Sequence, residues 1–172
     1  MNKTTPLSPA IFPDQPLPRV DSRSLATVKE AAAQAERGRA RICLHQDPSD
    51  PVQDMVIVHT ARSFDRPHRH LNKSISILVL EGTLLVPLFN DEGHVVERIE
   101  LTQMGGDKPF LVRLSGTQWY SCIPLTDPVV IFESMEGPFE KDGDFYPQWA
   151  PPEGPELESF LRAVAGEPTA GV

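Results

Sequence analysis

From residue 41 onward the chain is written in short apolar runs with period-two alternation. The runs fall at residues 41–45, 55–60, 75–80, 84–89, 95–101, 110–114, 119–123 and 129–133. Between them stand turn-forming segments such as Asp47-Pro48-Ser49-Asp50-Pro51, Glu81-Gly82, Gly105-Gly106-Asp107 and Thr126-Asp127-Pro128. Many short strands at close spacing predict an all-β barrel or sandwich. Asn90-Asp91-Glu92-Gly93 is a hairpin loop. No strand–helix–strand rhythm is present, which excludes a doubly wound sheet.

Two stretches carry the helical period instead. Leu25, Val28, Ala32 and Ala35 recur at helical spacing over residues 22–37, and Gly38 offers a stop. This is expected to be a covering helix. Near the other end Pro155 suits a first helical position. Leu157, Phe160, Leu161 and Val164 form an apolar stripe, and Gly166 can close it. The stripe needs a cover, either the outside of the barrel or a second subunit. Five prolines mark residues 1–22 as an extended arm. The expected division is therefore an arm at 1–22, a barrel with its N-terminal helix at 23–150, and a C-terminal helix and tail at 151–172.

Composition narrows the class. At 172 residues, 40% of them hydrophobic, the chain can build one modest core. A net charge of -8 argues against nucleic acid and against anionic membrane surfaces as partners. Cys43 and Cys122 belong to no C-x-x-C pair and are expected as buried, reduced thiols. The first residues lead into prolines rather than an apolar signal segment, and no apolar run approaches a membrane span, so a cytoplasmic location is expected.

The clearest candidate chemistry is His68-Arg69-His70. On a strand, positions i and i+2 share a face, so two imidazoles would point together into a barrel. Pro67-His68-Arg69-His70, followed by Gly82, resembles the first motif of the cupins. More specifically, the chain resembles the WbuC family of cupin-fold metalloproteins. The matching stretches are residues 41–45 and 50–55, Pro67 to His70, Lys73-Ser74 and Leu80-Glu81-Gly82. Trp119, Pro124-Leu125, Glu133 and Gly137-Pro138 follow in order. The resemblance implies an all-β fold, the double-stranded β-helix or jelly-roll barrel, with flanking N-terminal and C-terminal helices. It also implies a homodimer and a metal site.

The departures bear on that site. Where the motif has its glutamate this chain has Ile75, and where a third histidine is expected it has Tyr120. The metal-site candidates are thus His68, His70 and Tyr120. Two readings stay open: a divalent metal (iron, zinc, nickel or manganese) on a reduced ligand set, or a weak or absent metal and a pocket that binds a small molecule by hydrogen bonds.

Around these, Lys73, Arg113 and His59 are candidate substrate-binding groups. His59 shares a strand face with Met55 and Ile57; Arg113, if inward, would hold a carboxylate or phosphate. His45 is expected to be hydrogen-bonded near the pocket, and His94 solvated. Trp119 should face away from Tyr120 and pack under a helix. Glu133, Glu136, Glu140, Asp142 and Asp144 read as a solvated acidic loop. The expected functions are a small-molecule-binding cupin with a partly lost metal site, an enzyme on a sugar or nucleotide-sugar, or a metal-dependent isomerase, epimerase or oxygenase using His68 and His70. Neither a nucleophile elbow nor a phosphate-binding glycine loop is present.

Overall fold

The computed structural model describes residues 8–140 and 143–166. In chain order its elements are β1 (Ala10–Ile11), α1 (Ser22–Gln34), β2 (Arg39–Cys43), β3 (Val52–His59), β4 (Arg69–His70), β5 (Ile75–Glu81), β6 (Thr83–Phe89), β7 (Val95–Thr102), β8 (Leu111–Leu114), β9 (Trp119–Tyr120), β10 (Ile123–Pro124), β11 (Val129–Glu136), β12 (Asp144–Phe145) and α2 (Pro155–Ala165). The first seven residues of the arm, Asp142 and the last six residues of the tail lie outside the described residues. No helix is long and apolar enough to cross a membrane.

One sheet has the order β1-β2-β3-β11-β5-β8. The second runs β10-β6-β7, with β9 also on β6. An antiparallel bridge between His68 and Tyr120 adds the β4 end to it. The neighbour series β3-β11-β5-β8 facing β4-β9-β6-β7 is a jelly roll, in which the chain crosses between the two sheets on either side of the β6–β7 hairpin.

Alternation sorts each strand's residues between two environments. On β3, Val56 and Val58 point outward and pack with Val28 and Ala32 of α1. Met55 and Ile57 point inward, to the core that Ile75, Ile77, Val79, Leu84 and Val86 fill from β5 and β6. β3 is therefore apolar on both faces, which is why its sequence reads as a nearly continuous run. Small alanines on α1 bring the helix close to the sheet. Its start is fixed by a capping box in which Asp21 and Ser24 each accept the other's backbone N–H, at 2.8 and 2.9 Å.

Helix α1 stops at Gln34, short of the expected Arg37, because Ala35 is already extended. Gly38, at φ 62°, then turns the chain into β2. The expected strand over 119–123 is two short pieces, since Ser121 and Cys122 leave the ladder. The last strand runs three residues further than its apolar pattern, to Glu136, because two neighbours pair with it along its length.

The stripe on α2 is covered by the chain's own barrel. Leu157, Leu161 and Val164 pack on Leu85, Phe89, Trp119 and Ile123, the outward residues of the second sheet. Trp119 thus lies under a helix, as its alternation with Tyr120 predicts. Leu161 is fully buried there. Leu161→Ala is expected to cost about 3 kcal/mol, read as a lower urea midpoint at unchanged slope. A loss below about 1 kcal/mol would mean that α2 does not seal this face.

Candidate functional site

The barrel encloses a cavity of about 390 Å³ between the inner faces of β2, β3 and β11 and the β4–β9 pair, with Ser8, Ala10 and Phe12 also lining it. The pairing registers set out its wall as rows. Arg39, His59 and Val129 share one row across β2, β3 and β11. Arg41, Ile57 and Ile131 form the next, and Cys43, Met55 and Glu133 the one after. Along β2 and its flanks every second residue lines the cavity: Arg37, Arg39, Arg41, Cys43 and His45.

Three arginines on one strand face need compensation. Arg37 is paired with Glu153. Arg39 Nη1 meets Asp65 Oδ1 at 2.5 Å, with both side chains largely buried. Burial alone would raise the Asp65 carboxyl, but the Arg39 guanidinium beside it holds it well below the usual carboxylate range. Arg41 has no carboxylate partner among the described residues; its Nη1 lies 3.9 Å from Met55 Sδ.

The expected ligand group is assembled. His68 Nδ1 donates to the Arg66 carbonyl at 2.8 Å, and His70 Nδ1 meets Asp144 Oδ1 at 2.8 Å. Those partners take the Nδ1 protons and leave both Nε2 atoms free to face the Tyr120 hydroxyl, at 3.1 and 3.2 Å. One phenolic proton serves one imidazole, so full pairing of the three rings requires one further proton, with Asp144 as the counter-charge. Gly116 permits the fold of this corner, since a Cβ there would stand 2.2 Å from the His70 carbonyl.

This donor set does not fit a divalent metal. The point on which the two imidazoles converge is taken by the phenol oxygen itself. Burial pushes that phenol well above its ordinary value, so it stays a neutral hydroxyl rather than an anionic ligand. Ile75, where the motif would place a carboxylate, is packed in the core beside Met135 of β11. Among the described residues no three histidine, cysteine, aspartate or glutamate side chains form a metal-binding group.

His59 lines the cavity, on the face that it shares with Met55 and Ile57. Its Nδ1 is 2.8 Å from Ser63 Oγ, and its Nε2 is buried without a partner. Burial, with Arg39 adding to it, pushes its pKa down to about 4, so the ring is neutral at pH 7. His45 both lines the cavity and is hydrogen-bonded, its Nδ1 lying 3.1 Å from the Asp54 carbonyl. Cys43 and Cys122 are free, buried thiols on the same wall, both raised by burial.

Two expected binding groups lie elsewhere. Arg113 is exposed, because β8 turns Leu114 inward and its neighbour outward. Lys73 sits in the turn after β4, with its ammonium on the Pro138 carbonyl. His94 is exposed in its hairpin.

The acidic segment read as a solvated loop divides. Glu136 and Glu140 are exposed, but Asp144 pairs with His70, and Glu133 projects from β11 into the cavity. The phase of β11, with Glu133 two residues after the inward Ile131, places its side chain on the inner face between Met55 and Ile77. Burial and then the Asp65 charge raise its pKa to about 7, against Arg41, His70 and Arg39, which lower it. Tyr120 and Cys122 also feel its charge. The signal for the arginines was present in the sequence as Arg37, Arg39 and Arg41 at period two. For Glu133 it was the residue's place at the end of the 129–133 run and among the stretches that carry the family resemblance.

A family model described as "Domain of unknown function (DUF6016)" matches residues 20–101, just under half of the chain. No curated protein matches. Among solved structures, the Cnp3 cupin domain of Schizosaccharomyces pombe aligns at 11% identity and a TM-score of 0.46, over 57% of this chain and 64% of that one. KdgF from Halomonas sp. aligns at 17% and 0.46, over 60% and 82%. The capsular polysaccharide assembling protein CapF of Staphylococcus aureus aligns at 19% and 0.47, over 58% of this chain and 27% of its own length. The chain thus spans less than two thirds of the Cnp3 domain and about a quarter of CapF. The strand order of the two sheets decides the fold class. The fold is a cupin jelly roll.

Two expectations test this site. Glu133 has a folded pKa near 7 against an ordinary 4.5. It therefore favours folding fully below pH 4.5, and that contribution is lost as the pH rises through 7. Glu133→Gln should be more stable than wild type at pH 8 by on the order of 2 kcal/mol, the carboxyl's share of cavity solvent holding the figure down. The gain should vanish near pH 4.5 in urea melts; a pH-independent difference would place the carboxyl in open solvent. Separately, cobalt(II) titration should give no stoichiometric visible spectrum with wild type and a tetrahedral or five-coordinate one with Tyr120→His. A wild-type spectrum lost in His68→Ala would show that the phenol yields to a metal.

Proposed function

We propose that this cupin binds a small polar organic acid inside its barrel, with Arg41 as the anchor for the acid's carboxylate. The observation that carries the reading is an arginine on the cavity wall that forms an ion pair with no carboxylate of the described residues; Glu133 feels its charge without touching it. A partly buried guanidinium left without an anion is costly, and a ligand carboxylate supplies two charge-assisted hydrogen bonds to it. One unpaired arginine matches one carboxylate.

Size and lining support a sugar acid. The volume of about 390 Å³ falls near the low end of small-molecule pockets, roughly 300–1,000 Å³. A monosaccharide fits; a nucleotide-sugar would leave its nucleotide outside. His59 Nε2 is a buried polar atom without a partner on the same wall, ready for a hydroxyl. Ile57 and Met55 give an apolar floor for a sugar's C–H face. The resemblance to WbuC cupins, which are linked to surface-polysaccharide synthesis, points the same way. Metal-dependent chemistry at His68 and His70 has no supporting donor set.

Calorimetric titration with D-glucuronate, D-galacturonate and D-glucose tests this. The two sugar acids should bind and the neutral sugar should bind at least ~10-fold more weakly. Arg41→Met should weaken the acids by ~10–100-fold and leave glucose unchanged. Equal affinity for the acids and glucose would remove Arg41 as the anchor.

A further inference from the structure

We infer that Glu133 is the acid–base residue of this cavity and that the cupin is a metal-independent isomerase of aldehyde-bearing sugar acids. This rests on the sugar-acid reading above and assigns the reaction class to the same site.

The geometry begins with the registers. Arg41 stands opposite Ile57, and Ile57 opposite Ile131; Glu133 is two residues further along β11, opposite Met55. Two strand spacings and two residue steps separate the backbones of Arg41 and Glu133 by about 12 Å, with both side chains on the inner face. The Arg41 guanidinium leans toward Met55, the residue that lies beside Glu133. An acid whose carboxylate rests on Arg41 therefore runs along the wall over Met55 and brings its distal carbons to Glu133.

Glu133 is fitted to that position by what it lacks. No described residue forms an ion pair or hydrogen bond with it, and its strand neighbours on the inner face are Met55 and Ile77. A carboxyl in such a setting contributes nothing to packing, and its near-neutral pKa lets it take and return a proton at pH 7. A structural role would pair it, as Asp65 is paired with Arg39.

The step balances without a co-reactant. The Glu133 carboxylate takes the C–H proton next to the aldehyde, and the electron pair forms the C=C bond of an enediol as the Tyr120 hydroxyl gives its proton to the carbonyl oxygen. Glu133 then returns its proton to the former aldehyde carbon. The hydroxyl on the neighbouring carbon gives its proton back to the Tyr120 oxygen and becomes the ketone. One carbon is reduced and its neighbour oxidised by the same two electrons, so no external oxidant or reductant enters. The electrophilic side is the Tyr120 hydroxyl, which the two imidazoles hold in the same cavity.

The test uses full-length protein after chelator treatment, in buffered D2O, with D-glucuronate and D-galacturonate followed by proton NMR. Deuterium should enter the carbon beside the carbonyl and a keto acid should accumulate. Glu133→Gln should slow both by at least ~100-fold while calorimetric affinity for the acid stays within about threefold, a change worth less than 1 kcal/mol. Arg41-dependent binding without deuterium uptake would overturn the role of Glu133 and leave the binding reading standing. Failure of both acids to bind would overturn the anchoring by Arg41, and this inference with it. Turnover that chelation abolishes and added metal restores would also overturn it.

Discussion

The Arg39–Asp65 ion pair is the interaction on which the cavity's electrostatics rest. Arg39 comes from the start of β2, and Asp65 from the connection between β3 and β4. That connection must cross the barrel end and deliver His68 beside Tyr120. The pair ties it down on one side, while the Asp65 carbonyl accepts the Ser121 hydroxyl on the other, at 2.5 Å. Removing one partner would leave a charge in a low-dielectric wall, the costly way to break a buried pair. With Arg39 neutralised, the cavity keeps one cation in want of a partner instead of two.

The remaining groups follow from that frame. Burial keeps His59 and His68 neutral, so both present lone pairs or N–H groups rather than charge. The neutral Tyr120 phenol stands where two imidazoles converge and turns a potential ligand set into a hydrogen-bonded cluster. What is left without an ion-pair partner is Arg41 and Glu133, opposite in charge, two strands apart, with the field of Arg41 reaching the carboxyl. A barrel that buries two such groups without joining them holds space for a molecule that meets both.

The places where sequence and structure part have one cause. Alternation along a strand can be read directly, and it assigned His59 to the face of Met55 and Ile57 and Trp119 to the face opposite Tyr120. It left open which face of a strand its neighbours turn inward. Arg113 turned outward because Leu114 fills the core. Glu133 ends the apolar run and was also read as the start of an acidic loop, yet β3 and β5 both pair with β11 at this residue and hold it on the inner face. Asp144 likewise reaches His70 through the two-residue pairing of β12 with β4, which no local pattern announces.

The sequence by itself determined the all-β class, the two helices and their buried stripes, and the pairing of His68 and His70 on one strand face. These depend on local periodicity; the meeting of that pair with Tyr120 was implied only by the family resemblance. Only the tertiary structure decided what covers the α2 stripe, which carboxylates enter the cavity, and which arginine stays unpaired. Those outcomes depend on contacts between residues far apart in the chain, such as Arg39 with Asp65 and Arg37 with Glu153. Charge compensation is a property of the assembled wall, and a linear pattern does not carry it.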